Sequence, residues 1–116
     1  MTISLTDYAP TVGTTELSIP GGAAYSSASP QTGVGHVEVM LDLALLAAGD
    51  SFRLRLYEKA TAAGTQRLID EWVFTGVQDG PGVKIPCGLL GRGWDLTLQK
   101  ITGTDRSIPC STRIVS

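Results

Sequence analysis

Two stretches decide the fold: HVEVMLDL at residues 36–43 and FRLRLY at residues 52–57. In the first, Val37, Val39, Leu41 and Leu43 alternate with His36, Glu38, Met40 and Asp42. In the second, Phe52, Leu54 and Leu56 alternate with Arg53, Arg55 and Tyr57. A period of two sends successive side chains to opposite faces, so each run reads as a strand with one face on a core. The other faces carry mixed charge and no catalytic set. Neighbouring strands would place Glu38 and Asp42 opposite Arg53 and Arg55, so the charges are expected to compensate across the ladder.

Outward from this pair, strands are expected near 67–75, 83–87, 93–101 and 107–115, with one or two more inside 2–19. Residues 44–50 (ALLAAGD) read as a connection, with room for one helical turn ended by Gly49. Residues 60–65 (ATAAGT) read as a hairpin tip, and GTDR at 103–106 as a tight turn. Leu68, Ile69, Trp72, Val73 and Phe74 put apolar side chains on both faces, which suggests a central strand. Regular short strands with Gly-rich turns predict an all-β, antiparallel β-sandwich of seven to eight strands, jelly-roll-like.

The chain divides by composition. Residues 36–116 hold the strand pattern; residues 1–35 read as an irregular N-terminal arm with the first short strands. Within it, PGGAAYSSASPQTGVG (20–35) is small, polar and turn-rich, with Tyr25 its one large side chain. Two readings are open: this arm lies along its own domain, or it is pinned against neighbouring chains. On the second, deleting residues 2–20 would leave a folded core.

At 116 residues the chain fits one domain, with a single modest core. Charged residues make up 17%, against the usual level of about a quarter. Either a partner covers part of the surface, or the domain is simply rich in Thr, Ser and Gly. The net charge of −2 and scattered basic residues argue against nucleic acid. No apolar run is long enough to span a membrane as a helix, and no secretion signal is read at the N-terminus. Synthesis in a cytoplasm is therefore expected, with Cys87 and Cys110 as reduced thiols.

Catalytic and metal signals are weak. His36 is the single histidine and has no nucleophile motif near it. One His and two distant Cys do not give zinc spacing, and the aspartates lack an EF-hand register. Asp70 and Glu71 are adjacent on a strand and point to opposite faces, so they cannot flank one bond. GLLGRG (88–93) lacks the Lys-Ser/Thr of a phosphate loop. Trp72 and Trp94 sit inside strand patterns, and core filling is the plainer use for both. No catalytic, cofactor or metal residue is assigned, and the chain reads as a non-enzyme.

LAAGD (46–50), FRLRLYEK (52–59), GTQR (64–67), GWDLTL (93–98) and GTDRSI (103–108) together give residues 41–115 a distinct cadence. In this the chain resembles small virion-associated proteins of tailed bacteriophages. The resemblance implies a structural role, foremost a capsid decoration (cement) protein on the capsid exterior. Its partner would be the major capsid protein, with a homo-dimer or homo-trimer on the shell. Tyr8, Tyr25, His36, Arg53, Arg55 and Tyr57 are the candidate interface residues. A tail or head–tail connector component, or a small glycan- or receptor-binding module, are the alternatives.

Overall fold

The structure is a computed structural model that describes residues 2–116; Met1, the first residue of the expected arm, lies outside the described residues. The elements are β1 (Ile3–Tyr8), β2 (Thr11–Val12), β3 (Leu17–Ser18), β4 (Ala23–Ala24), β5 (Gly35–Asp42) and β6 (Ser51–Glu58). They continue with β7 (Arg67–Thr75), β8 (Gly82–Leu90), β9 (Asp95–Thr102), β10 (Arg106–Ser107) and β11 (Cys110–Val115). All are antiparallel. The first sheet has the order β1-β11-β5-β8 and the second β4-β3-β9-β6-β7, with β10 and β2 forming a short third ladder.

The two deciding stretches are strands, but they do not pair with each other. β5 lies between β11 and β8, and β6 lies between β9 and β7. The connection at 44–50 therefore crosses from one sheet to the other. It does so by two successive turns, Leu46 N to Leu43 O and Asp50 N to Ala47 O, and forms no helix. The expected compensation between Glu38 and Arg53/Arg55 is absent for the same reason. Glu38 instead faces Lys84 and Arg113 at 3.8 and 3.5 Å, while Arg53 and Arg55 face Glu71 at 3.7 and 3.1 Å.

One apolar layer joins the sheets into a sandwich. Val37, Val39 and Leu41 of β5 and Ile85 of β8 point inward from the first sheet. Phe52, Leu54, Leu56, Leu96 and Leu98 meet them from the second. Trp94 is fully buried and its indole N–H donates to Gly33 O at 2.7 Å. The thiols of Cys87 and Cys110 are free, and burial pushes them up to about 11 and about 12.

One strand assignment needs correction, and the two readings of the arm are decided. β7 is an edge strand, not a central one: it has β6 on one side and nothing on the other. Leu68, Ile69 and Val73 are exposed, and Trp72 only packs half-buried against the core. Apolar residues on both faces here mark an uncovered edge. The N-terminal segment lies along its own domain: β1 pairs with β11 throughout, and Val12 and Ile19 are core residues with no exposure. Removing residues 2–20 would take both from the core, so that deletion is expected to unfold the chain.

Asp50 locks the crossover. Its carboxylate is buried and accepts from Ala47 N (2.9 Å), Thr104 N (3.0 Å) and Arg106 Nε (2.7 Å). Gly103 makes this fit: its φ is +97°, and a Cβ there would stand 2.3 Å from Asp50 Oδ1. Donors from Thr104, Ala47 and Arg106 hold the Asp50 carboxyl down at about 2, from an ordinary 3.8. A carboxyl lowered on folding stabilises the native state above its unfolded pKa, and that support is lost as pH falls through the folded value. Unfolding midpoints in urea are therefore expected to drop between about pH 4 and about pH 2. Asp50→Asn should flatten that acid limb and lower stability at neutral pH; an unchanged limb would contradict the latch.

Candidate interaction surface

Each sheet has an outer face, and the two are finished differently. On the second sheet, alternation turns Asp95, Thr97 and Gln99 of β9 outward, beside Tyr57, Arg55 and Arg53 of β6. Such positions ordinarily meet water. Here Asp95 and Thr97 are each 1% exposed. The cover comes from the segment between Gly13 and Gln31, which extends the sheet beside β9 through β3 and β4 and folds the side chains of Glu16, Ser18 and Tyr25 over these positions.

That segment is fastened by backbone and by side chain. Ile19 N donates to Leu96 O, Gln31 N to Trp94 O and Tyr25 N to Glu16 O, all at 2.7–2.8 Å. Glu16 Oε2 accepts from the Tyr57 hydroxyl at 2.6 Å and the Thr97 hydroxyl at 2.5 Å. Ser18 Oγ donates to Asp95 Oδ1 at 2.6 Å. Tyr25 stacks on Tyr57 with ring centroids 4.7 Å apart, and its hydroxyl donates to Gln66 Oε1. Burial pushes the Tyr25 phenol up to about 12 and raises Tyr57 as well. It also raises the Asp95 carboxyl, against the opposing pull of Ser18 and Leu96 N–H.

Four of the six candidate residues belong to this covered face: Tyr25, Arg53, Arg55 and Tyr57. The structure gathers them, but it gives each an internal partner. Arg53 donates twice to Gln99 Oε1, at 3.0 and 2.6 Å, and Gln99 Nε2 donates to Thr14 O at 2.7 Å. Arg55 donates to Glu71 at 3.1 Å, and hydrogen bonding to Tyr57 raises its pKa further. The stacked tyrosines consolidate the fold; they are not an open platform for a sugar ring.

The first sheet has no such cover. Its register sets outward side chains in rows across four strands. One row is Ile3, Val115, His36 and Leu89. The next is Leu5, Arg113, Glu38 and Pro86. A third is Asp7, Ser111, Met40 and Lys84. Ile3, Leu5 and Leu89 are 58, 65 and 66% exposed. The face thus carries apolar side chains around a histidine, with the Arg113–Glu38–Lys84 ion pairs in its middle.

Two hollows mark this face. One of about 200 Å³ lies between His36, Glu38, Pro86 and Arg113. The other, about 590 Å³, lies at the opposite end, between Asp7, Tyr8, Met40, Asp42 and Pro109. His36 stands on the uncovered face; Tyr8 borders the larger hollow, but its register with Cys110 and Leu41 turns it to the inward row, where it packs against the core. Ile3, Leu5 and Leu89 were not singled out by sequence, though Ile3 and Leu5 alternate in ISLTDY; only pairing with β11 tells which face they take. Among the described residues, no group of three or more His, Cys, Asp or Glu is gathered to hold a metal ion. No family model, curated protein or solved structure matches the chain.

The cover can be tested by removing its carboxylate. Glu16→Ala leaves the Tyr57 and Thr97 hydroxyls without their acceptor, at an expected cost of about 1–3 kcal/mol in urea unfolding. Residues 20–31 should then become sensitive to protease. Glu16→Gln keeps an acceptor and should cost less; equal, negligible effects of both would mean that the carboxylate does not fasten the segment.

Proposed function

We propose that this chain is a structural protein of a tailed-bacteriophage virion, a capsid decoration protein whose work is contact and not catalysis. On this reading its partner is the major capsid protein, and it sits on the capsid exterior. The observation that carries the reading is the unequal finish of the two faces. The chain's own segment closes one outer face over β9, where the apolar Leu68 and Val73 near the β7 edge stay exposed, and leaves Ile3, Leu5 and Leu89 bare across the other. Apolar side chains left exposed on a flat sheet, interleaved with ion pairs, fit a docking surface.

The strand order supports the architecture expected of such proteins. With three of the four two-residue strands, β2, β4 and β10, set aside and β3 kept as the second, the strands run first-eighth-third-sixth and second-seventh-fourth-fifth. On this reading that order supports a jelly-roll arrangement of two interleaved Greek keys.

Magnitudes limit how the contact works. Ile3, Leu5 and Leu89 would each gain about 1–2 kcal/mol on full burial, given their present exposure. Together that approaches only the few kcal/mol of millimolar binding. Firm attachment therefore needs the rest of the face, ion pairs included, and a shell that offers many equivalent sites.

The test uses purified shells of the virus that encodes the chain. Leu5→Asp and Leu89→Asp should keep wild-type circular dichroism and lose shell occupancy by tenfold or more, about 1.4 kcal/mol or above. Wild-type occupancy for both would overturn the reading. Copy number in purified virions separates the nearest alternative: hundreds per particle fit decoration, whereas the count of a single ring fits a tail or head–tail connector component.

A further inference from the structure

Two sheets have four edges, and two of them are blunted against further pairing. β4 is two residues long. β8 carries Lys84 and Pro86 and a register shift opposite Val37/Glu38, three devices that blunt an edge. β1 is open as well, but it is only six residues long. β7 differs from all three. It is nine residues long and has neither Lys nor Pro. Its one irregularity falls at Ile69, and Asp70–Thr75 then run in unbroken register against Leu56–Ser51.

We propose that β7 is a self-pairing edge: the Asp70–Thr75 strands of two copies join antiparallel about Val73 and make one continuous sheet. The argument is charge and shape complementarity of the strand with itself. A two-fold axis at Asp70 or Glu71 would set a carboxylate against its own copy. An axis at Trp72 would set Glu71 and Asp70 against Val73 and Phe74. An axis at Val73 sets Val73 against Val73 and Trp72 against Phe74 twice, with Glu71 against Thr75. No like charges then oppose one another. Glu71 is moreover already neutralised by Arg53 and Arg55, at 3.7 and 3.1 Å. Pairing would also finish the burial of Trp72 and Phe74, which are only partly enclosed in one copy. The inference does not rest on the decoration reading, since it concerns the free protein.

A single strand pair lies at the small end of stable interfaces, so the dimer should be reversible at roughly micromolar concentration. Sedimentation equilibrium of the full chain across a concentration series should give a monomer–dimer equilibrium. Val73→Lys places two ammonium groups at the axis and should weaken the dimer at least tenfold, with circular dichroism unchanged. Val73→Cys supplies an independent readout. Directly opposite residues in an antiparallel pair have Cα atoms about 4.5–5.5 Å apart, within disulfide reach. Mild oxidation should therefore link Val73→Cys into a covalent dimer, while Leu89→Cys, exposed on the other sheet, and the unsubstituted chain stay unlinked. A wild-type chain that remains monomeric at high concentration overturns the proposal. So does a dimer indifferent to Val73→Lys, or a Val73→Cys chain that links no better than Leu89→Cys.

Discussion

Thr97 and Asp95 point away from the core and are nonetheless enclosed, and both stay satisfied because Glu16 and Ser18 reach down to them. A buried polar group without a partner costs more than a hydrogen bond returns, so such positions are tolerable only when fully connected. The hydrogen bonds of Glu16, Ser18 and the Tyr25–Tyr57 stack are therefore what hold a small, turn-rich segment along β9 and fold its side chains over the sheet. Everything distinctive about the molecule follows from that cover. Residues 13–31 are ordered by it, Trp94 is closed over by Gln31 and Gly33, and the part of one sheet face that holds Asp95 and Thr97 is withdrawn from outside contact.

The consequence is an asymmetric sandwich. Its covered side is polar and internally paired over β9 and β6, with Leu68 and Val73 exposed toward the β7 edge. Its bare side has exposed Ile3, Leu5 and Leu89, two hollows and a short ion-pair chain. Burial of an average surface is not selective, but an uncovered apolar face beside a covered polar one gives the molecule an orientation. On the proposed reading, attachment needs that orientation more than it needs a cleft. The crossover latch at Asp50 serves the same end, because it fixes where β6 enters the second sheet and hence how the two faces stand to one another.

Much of the fold was legible because alternation is a local signal. HVEVMLDL and FRLRLY name their own inward rows, and those rows are the core. Pairing was not legible, because it depends on partners far along the chain. Treating β5 and β6 as neighbours placed Glu38 beside Arg53, when the register sets it beside Arg113. The same gap explains β7: apolar residues on both faces look alike whether a strand is central or an edge left open. Asp50 and Gly103 each read as turn residues, yet nothing local says that they meet. The candidate residues were chosen as exposed aromatics and charges. Four of them prove to be spent on the cover, and the uncovered row holds aliphatic residues that a search for chemistry passes by.

On the proposed reading the bare face, and not the clothed one, makes contact. Hydroxyl-radical footprinting of the protein, free and on shells, addresses it at single side chains. Attachment should protect Ile3, Leu5 and Leu89 strongly and leave Tyr25 and Tyr57 unchanged. Protection of the tyrosine face with Leu5 and Leu89 still fully reactive would contradict the claim.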